Sequence, residues 1–166
     1  MPSEGDLYLK IDTIEGETET VGFEKQMQIE SESFGCSNSG SSTSGTGLGT
    51  GKVSMQDFHF VLRHGKASAA LMLACCKGNH IPQAILSLRK TGGDGTPYVY
   101  SKITFGDLIV SSFNTGSSAQ GGEKMDSIAF NFTKITMEYS QQKADGSVAL
   151  TNTISYDLKK VQGEGA

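Results

Sequence analysis

The sequence contains no tryptophan and only three cysteines and three prolines. Cys75 and Cys76 are adjacent, and with Cys36 they make an odd count without the spacing of a disulfide framework, so we expect reduced thiols. There is no run of about 18 apolar residues that could span a bilayer, and no positively charged start followed by an apolar stretch. The sequence therefore predicts neither membrane insertion nor a secretory signal peptide.

Clustered positive charge is also missing. The 14 Lys and Arg residues are scattered among 18 Asp and Glu residues, and the formal net charge is −4. A protein that binds along a phosphate backbone needs Lys and Arg gathered into a basic surface. The composition therefore argues against nucleic acid as a partner.

Glycine is abundant, with 21 residues, and together with the absence of tryptophan it predicts many turns and short strands. A length of 166 residues suits one domain with a single core, spanning residues 1–166. Alternating apolar and polar residues, as at Leu7, Leu9 and Ile11, predict about eight strands. We expect a mainly β fold, either a closed antiparallel β-barrel or a sandwich.

One short α-helix is predicted over residues 68–77. Ser68 is a candidate N-cap, and Gly78 can take the left-handed conformation that ends a helix. The residues that share the expected buried face are Ala67, Leu71, Ala74 and Cys75.

Two hairpins and two changes of strand facing follow from the pattern. A turn over residues 91–95 joins strands 84–90 and 98–105, and a turn over residues 144–146 joins the last two strands. The apolar phase shifts by one residue near Asp57 and again near Thr133, which is typical of a bulge.

Residues 36–52 are almost entirely Ser, Gly and Thr. This composition cannot bury enough apolar surface to offset the entropy of ordering, so we expect a long loop. A loop of this length usually has a function, and one physical possibility is contact with a partner subunit. A tolerated insertion is the alternative.

Motifs for nucleotide and cofactor binding fail on spacing. A P-loop ending at Lys52 would need Gly and Ser or Thr where Thr46 and Val53 stand. A dinucleotide fingerprint from Gly45 and Gly47 would need a third glycine where Thr50 stands. We therefore predict no cofactor.

Catalytic and metal motifs are weak as well. Cys75, Cys76, His64 and His80 match no usual ligand spacing, and there is no Gly-x-Ser-x-Gly elbow. His59 alternates with two phenylalanines on a strand and should face away from them. We predict no metal and no enzyme activity, with a hydrolase using one histidine and a small-ligand-binding β-barrel kept as alternatives.

The order of these segments resembles the haemolysin-coregulated protein family, the tube subunits of type VI secretion. The resemblance runs from about Asp6 to about Leu158. The segments that carry it are Asp6-Leu-Tyr-Leu-Lys-Ile-Asp, Gly51-Lys-Val-Ser-Met-Gln-Asp-Phe, Lys66-Ala-Ser, Leu71-Met-Leu-Ala-Cys, Leu88-Arg-Lys-Thr-Gly-Gly, Val110-Ser-Ser-Phe-Asn-Thr-Gly, Asn131-Phe-Thr-Lys and Gln142-Lys-Ala-Asp-Gly.

The resemblance implies a structural protein that forms homohexameric rings, which stack into an expelled tube and carry small effector proteins in the lumen. It implies sheath and spike components as partners, synthesis in the bacterial cytoplasm, and secretion through the type VI apparatus without a signal peptide. Ser33 matches a small residue that should face the lumen, and Ser31 lies on the same strand face two positions earlier. Glu32 and Phe34 stand where many members carry tryptophan. The extended loop 36–52 would contact a neighbouring subunit or ring through Ser42, Gly45, Gly47, Leu48, Gly49 and Gly51.

Overall fold

A computed structural model describes residues 5–39 and 52–165. The described residues form antiparallel sheets and one short α-helix, which confirms the predicted mainly β class. In chain order the elements are β1 (Asp6–Ile11), β2 (Met27–Ile29), β3 (Ser31–Ser33), β4 (Cys36–Asn38), β5 (Val53–Met55), β6 (Phe58–Arg63), α1 (Ser68–Lys77), β7 (Ile81–Thr91), β8 (Pro97–Gly116), β9 (Met125–Gln142), β10 (Val148–Asp157) and β11 (Gln162–Gly165).

The main sheet folds over on itself at Glu30. Its strand order is β11-β10-β9-β8-β7-β1-β2, and β6 pairs with both β9 and β3. Glu30 separates β2 from β3, and its backbone N donates to the carbonyl O of Val61 at 2.8 Å. The segment β2–β3 thus pairs first with β1 and then with β6, which makes a corner of the kind found in sandwiches. The hydrogen bonds between strands do not continue unbroken around the sheet as they do in a simple closed barrel.

The interior is filled by phenyl rings. Phe58, Phe105 and Phe130 have no solvent exposure, and the ring centroid of Phe58 lies 4.8 Å from that of Phe105 and 4.9 Å from that of Phe130. A ligand-binding barrel would need an open apolar interior at this place. The packing therefore disfavours the small-ligand alternative.

Strands β8 and β9 change their buried face on one row of the sheet. Burial in β9 passes from Phe132 to Ile135, while Lys134 between them is exposed, as the shift near Thr133 predicted. Asp107 lies on the same row of β8 and has a positive φ of 50°. The shift predicted near Asp57 coincides with the break between β5 and β6.

The helix has the predicted bounds and the predicted end. Gly78 adopts the left-handed conformation with φ of 63°, and its N–H donates to the carbonyl O of Ala74 at 3.0 Å. The prediction that Ser68 is the N-cap was wrong, because Ala67 holds the cap position and Ser68 is the first helical residue. The Ser68 hydroxyl is buried and bonds to Asp126, which fixes it inside the helix.

The strands number eleven among the described residues, more than the predicted eight or so. Predicted strands 98–105 and 108–113 are one continuous strand, β8, whereas short strands appear at both ends of the 36–55 segment and in β11. Both expected hairpins are present.

The predicted loop begins later than Cys36, because β4 pairs with β5 in a two-stranded sheet. Residues 40–51 lie outside the described part of the chain, and with them the predicted contact residues Ser42, Gly45, Gly47, Leu48, Gly49 and Gly51.

Candidate functional site

One face of the four strands β3, β6, β9 and β8 carries small uncharged side chains. Residues paired across neighbouring strands point to the same side of a sheet. The pairing aligns two rows, one of Ser31, Val61, Ser127 and Asn114 and one of Ser33, His59, Ala129 and Ser112. The opposite side of these strands carries the core residues Phe58, Phe60, Ile128 and Phe130.

We call these two rows the uncharged face. All of its residues except Ala129 line a shallow depression of about 430 Å³, which Glu32, Phe60 and Ile128 also border. Ser31 and Ser33 are both exposed in it, and His59, exposed as its strand pattern predicted, is its titratable group. Short hydroxyl and amide side chains project little from the sheet, and they can exchange weak hydrogen bonds with a partner.

Charged side chains border this face at its two ends, where each has a polar partner. Arg63, at the end of β6, has its Nε 2.6 Å from Glu30 Oε1 and its Nη1 2.9 Å from Glu123 Oε2. At the other end, the Ser111 hydroxyl donates to Asp57 Oδ2 at 2.6 Å. The two rows between these ends contain no Asp, Glu, Lys or Arg residue.

Glu32 belongs to the other side of β3. It pairs with Phe60, whose side chain is in the core, so it points away from the face that carries Ser31 and Ser33. Partial burial raises the pKa of the Glu32 carboxyl above its ordinary value. Glu32 is thus a half-buried carboxyl at the margin of the core.

A second polar cluster lies beside the N-terminus of α1, around the fully buried Asp126. Its carboxylate accepts hydrogen bonds from Ser68 Oγ at 2.5 Å and Thr115 Oγ1 at 2.6 Å, and His64 Nδ1 lies 3.1 Å away. Burial raises the pKa of Asp126, but the hydrogen bonds from Ser68, Thr115 and His64 outweigh burial and the net pKa is lowered. The cluster joins α1 to the ends of β6, β8 and β9.

Serine, histidine and aspartate meet here, but not as a nucleophilic triad. In such a triad the serine donates to the histidine and is reachable by substrate. Ser68 instead donates to the carboxylate and is only 1% exposed. This geometry fits an anchor for the helix, and it gives the hydrolase alternative no support.

His80 and the three cysteines do not form a shared site in the described part of the chain. His80 Nδ1 lies 3.0 Å from Asp107 Oδ1, and Cys36 and Cys76 are exposed, unpaired thiols. Cys75 is also unpaired and packs at the edge of the core. Within residues 5–39 and 52–165, no three His, Cys, Asp or Glu side chains are grouped to hold a metal ion.

Asp107 is a surface carboxyl whose pKa is strongly lowered. The hydrogen bond from Lys159 Nζ, at 2.8 Å, and then that from His80 hold the pKa of Asp107 at about 2. Because Asp107 lies where β8 changes face, the bond from Lys159 ties the loop after β10 to that row of the sheet, and the bond from His80 ties the loop between α1 and β7 to it.

Sequence reasoning found part of the uncharged face. The structure brings Ser31 and Ser33 together with His59, but Ser112, Asn114 and Ser127 were missed. Each of the three alternates with an apolar neighbour, Phe113 or Ile128, so period-two alternation was the available signal. In the described part of the chain, no helix has the length and hydropathy to cross a membrane.

Comparisons with known proteins agree on one family. The model of the family described as type VI secretion system effector, Hcp, matches residues 8–139. Protein hcp1 of Pseudomonas aeruginosa strain PAO1 is 41% identical over 142 residues, covering 86% of this chain and 87% of the relative.

Solved structures show the same fold. A type six secretion system protein superposes with a TM-score of 0.87 at 25% identity, covering 96% of this chain and 99% of that one. Hcp1 from Salmonella typhimurium superposes with a TM-score of 0.79 at 30% identity, covering 98% of this chain and 100% of that one.

Proposed function

The chain belongs to the Hcp family of type VI secretion proteins, and from this premise we propose that it is a structural subunit that closes into hexameric rings. The rings stack into a tube that the type VI apparatus expels, with sheath and spike components as partners. The subunit catalyses no reaction and needs no cofactor. It is made in the bacterial cytoplasm and leaves through the apparatus.

The observation that carries this proposal is the uncharged face. A tube subunit needs one side that can line a bore, and β3, β6, β9 and β8 offer a surface of Ser, Asn and His side chains backed by the phenylalanine core. Short side chains keep the bore wide, and the lack of strong charge lets small effector proteins bind weakly and leave. Ser31 and Ser33 are the proposed contacts with the effector.

Ring formation can be measured directly by light scattering on a size-exclusion column. We expect a particle six times the 17.6-kDa mass of the chain, or stacks of it. We also propose that residues 36–52 contact a neighbouring subunit or ring, so deletion of residues 40–50 should abolish rings or their stacking. A wild-type chain that stays monomeric at tens of micromolar would contradict the ring proposal.

The lumen assignment has its own test. In a background in which Cys36, Cys75 and Cys76 are Ser, Ser33→Cys is labelled with a biotin maleimide and probed with streptavidin. We expect biotin to attach but streptavidin to be excluded from intact rings, and to bind after the rings are dissociated. Val21→Cys, at a site 87% exposed and off the uncharged face, should bind streptavidin in both states. Equal streptavidin binding by the Ser33→Cys form in both states would place Ser33 outside the bore.

A further inference from the structure

The helix α1 has two apolar faces. One face packs in the core through Ala67, Leu71 and Ala74. The opposite face carries Met72 and Leu73, which are 54% and 52% exposed. With Ala69 and Cys76, both also exposed, they follow the i, i+3, i+4, i+7 spacing of a second helical stripe.

A helix that is apolar on all sides is normally buried on all sides. Between Ser68 and Lys77 the helix has no polar or charged residue. Leu73 is 52% exposed, so a partner that covered it would remove further apolar surface from water. The outer stripe of α1, defined as Ala69, Met72, Leu73 and Cys76, therefore has the composition of a contact surface.

A second uncovered apolar surface lies on β9 and β10. Ile135 is buried in the core, and two and four residues later on the same side of β9 come the half-buried Met137 and Tyr139, which is 43% exposed. Ile154 pairs with Met137 and is 39% exposed. We call Met137, Tyr139 and Ile154 the strand strip, and it continues the core face beyond the point where the core covers it.

We propose that the outer stripe of α1 in one copy packs on the strand strip of the next copy in the ring. A closed ring needs two different surfaces on each subunit, since a surface that pairs with itself gives a two-fold dimer. The outer stripe of α1 is a ridge about 10 Å long, whereas the strand strip lies across two neighbouring strands and is a flat surface. The two surfaces are both apolar but differ in shape, so each can pack on the other without pairing with itself, as in a head-to-tail contact. The contact rests on the proposed ring.

The exposed native thiol of Cys76 provides a test by cross-linking. In a background with Cys36→Ser and Cys75→Ser, Ile154→Cys is treated with a short bis-maleimide and run on a denaturing gel. Each copy would be joined to two neighbours, so we expect a ladder of multimers ending at six. The matched control is Leu150→Cys, because Leu150 is 60% exposed but the register shift between Leu150 and Asn152 turns it to the other side of β10. It should give few cross-links.

A substitution gives an independent measurement. Leu73→Glu places a charge in the contact, and we expect the concentration at which half of the chains are in rings to rise at least about tenfold. Val21→Glu, at an exposed site distant in sequence from both surfaces, should leave that concentration unchanged. Circular dichroism should show both variants folded, since both positions are exposed.

The outcomes separate this contact from the ring itself. Wild-type hexamers whose Ile154→Cys form does not cross-link, or cross-links no better than the Leu150→Cys form, would overturn the contact and leave the ring standing. So would Leu73→Glu hexamers as stable as wild type, in which case α1 serves another component. A monomeric wild-type chain would overturn both the ring and the contact.

Discussion

Asp126 is a buried charged residue whose loss should destabilise the protein. It is fully buried, and it is held by Ser68, Thr115 and His64. The two carboxylate oxygens of Asp126 accept separate hydrogen bonds from Ser68 and Thr115. Asparagine has only one acceptor oxygen, so in Asp126→Asn one of these two hydroxyls loses its acceptor. We expect the free energy of unfolding in urea to fall by about 1–3 kcal/mol.

The control is Asp145→Asn, because Asp145 is an exposed turn residue that bonds to Ser147 two positions away. Its urea midpoint should stay close to wild type. If Asp126→Asn also left the urea midpoint unchanged, the cluster would not anchor the helix.

The pH dependence of this residue has a defined sign. The folded pKa of Asp126 is below its ordinary value of 3.8, so its charged form contributes stability above that value. The contribution is lost as pH falls below 3.8 through the lowered pKa. The difference in unfolding free energy between wild type and Asp126→Asn should therefore be largest near pH 7 and shrink below pH 3.8, as measured by urea titrations at each pH. A difference that grows with acid would contradict the lowered pKa.

Residue roles were predictable where they depend on alternation and not where they depend on partners distant in sequence. His59 was placed on the exposed side of β6 because it lies between two phenylalanines. Asp126 was missed because a carboxylate next to a serine on a strand looks solvent-exposed, and its donors are 11 and 58 residues away. The same long-range bond made the N-cap assignment of Ser68 wrong.

At the scale of elements, the end of α1 depends on one glycine. Gly78 has a φ of 63°, and a Cβ added at this position would have no atom within 4 Å, so a side chain there meets backbone strain and no clash. Gly78→Ala should destabilise the protein by about 1–2 kcal/mol in urea unfolding. Gly93→Ala has equal space without a positive φ, so it should be neutral or stabilising by up to about 1 kcal/mol. Equal effects of the two changes would mean that the left-handed conformation is not what Gly78 supplies.

Local sequence pattern predicted the positions of the helix and strands better than it predicted where they begin and end. The helix bounds were right because an apolar run of ten residues that ends at a glycine is typical of a short helix, even though the predicted N-cap was wrong. Strand β8 was split in two because its facing changes at Asp107, and a change of facing looks like a turn when the partner strand is unknown. Pairing with β9, which changes face on the same row, keeps the strand continuous. The corner at Glu30 could not be read from sequence, since it depends on Val61 bonding across 31 positions.

At the scale of the whole molecule, the proposed surfaces differ in polarity, and each is uniform in the kind of side chain that it carries. The uncharged face lacks strong charge, while the outer stripe of α1 and the strand strip are apolar. A ring built on apolar contacts is insensitive to screening, whereas one built on ion pairs weakens as salt shortens the Debye length to about 3 Å at 1 M. We expect the mass of the particle in light scattering to be the same in 0.1 and 1 M NaCl, to within about ten per cent. Dissociation in 1 M salt would show that ion pairs hold the ring.

Ring formation also links stability to protein concentration, because association stabilises the folded subunit and not the unfolded chain. For a hexamer that unfolds as it dissociates, each tenfold rise in concentration adds about 1 kcal/mol per subunit. For a chain of this size that shift raises Tm by roughly 2–4 °C. Scanning calorimetry at three concentrations spaced tenfold should show this rise for wild type. Leu73→Glu, measured below its own association range, should show a constant Tm. A wild-type Tm that does not change with concentration would mean that folding of the subunit is independent of the ring. An equal rise of Tm in Leu73→Glu would mean that the outer stripe of α1 is not the surface that couples folding to ring formation.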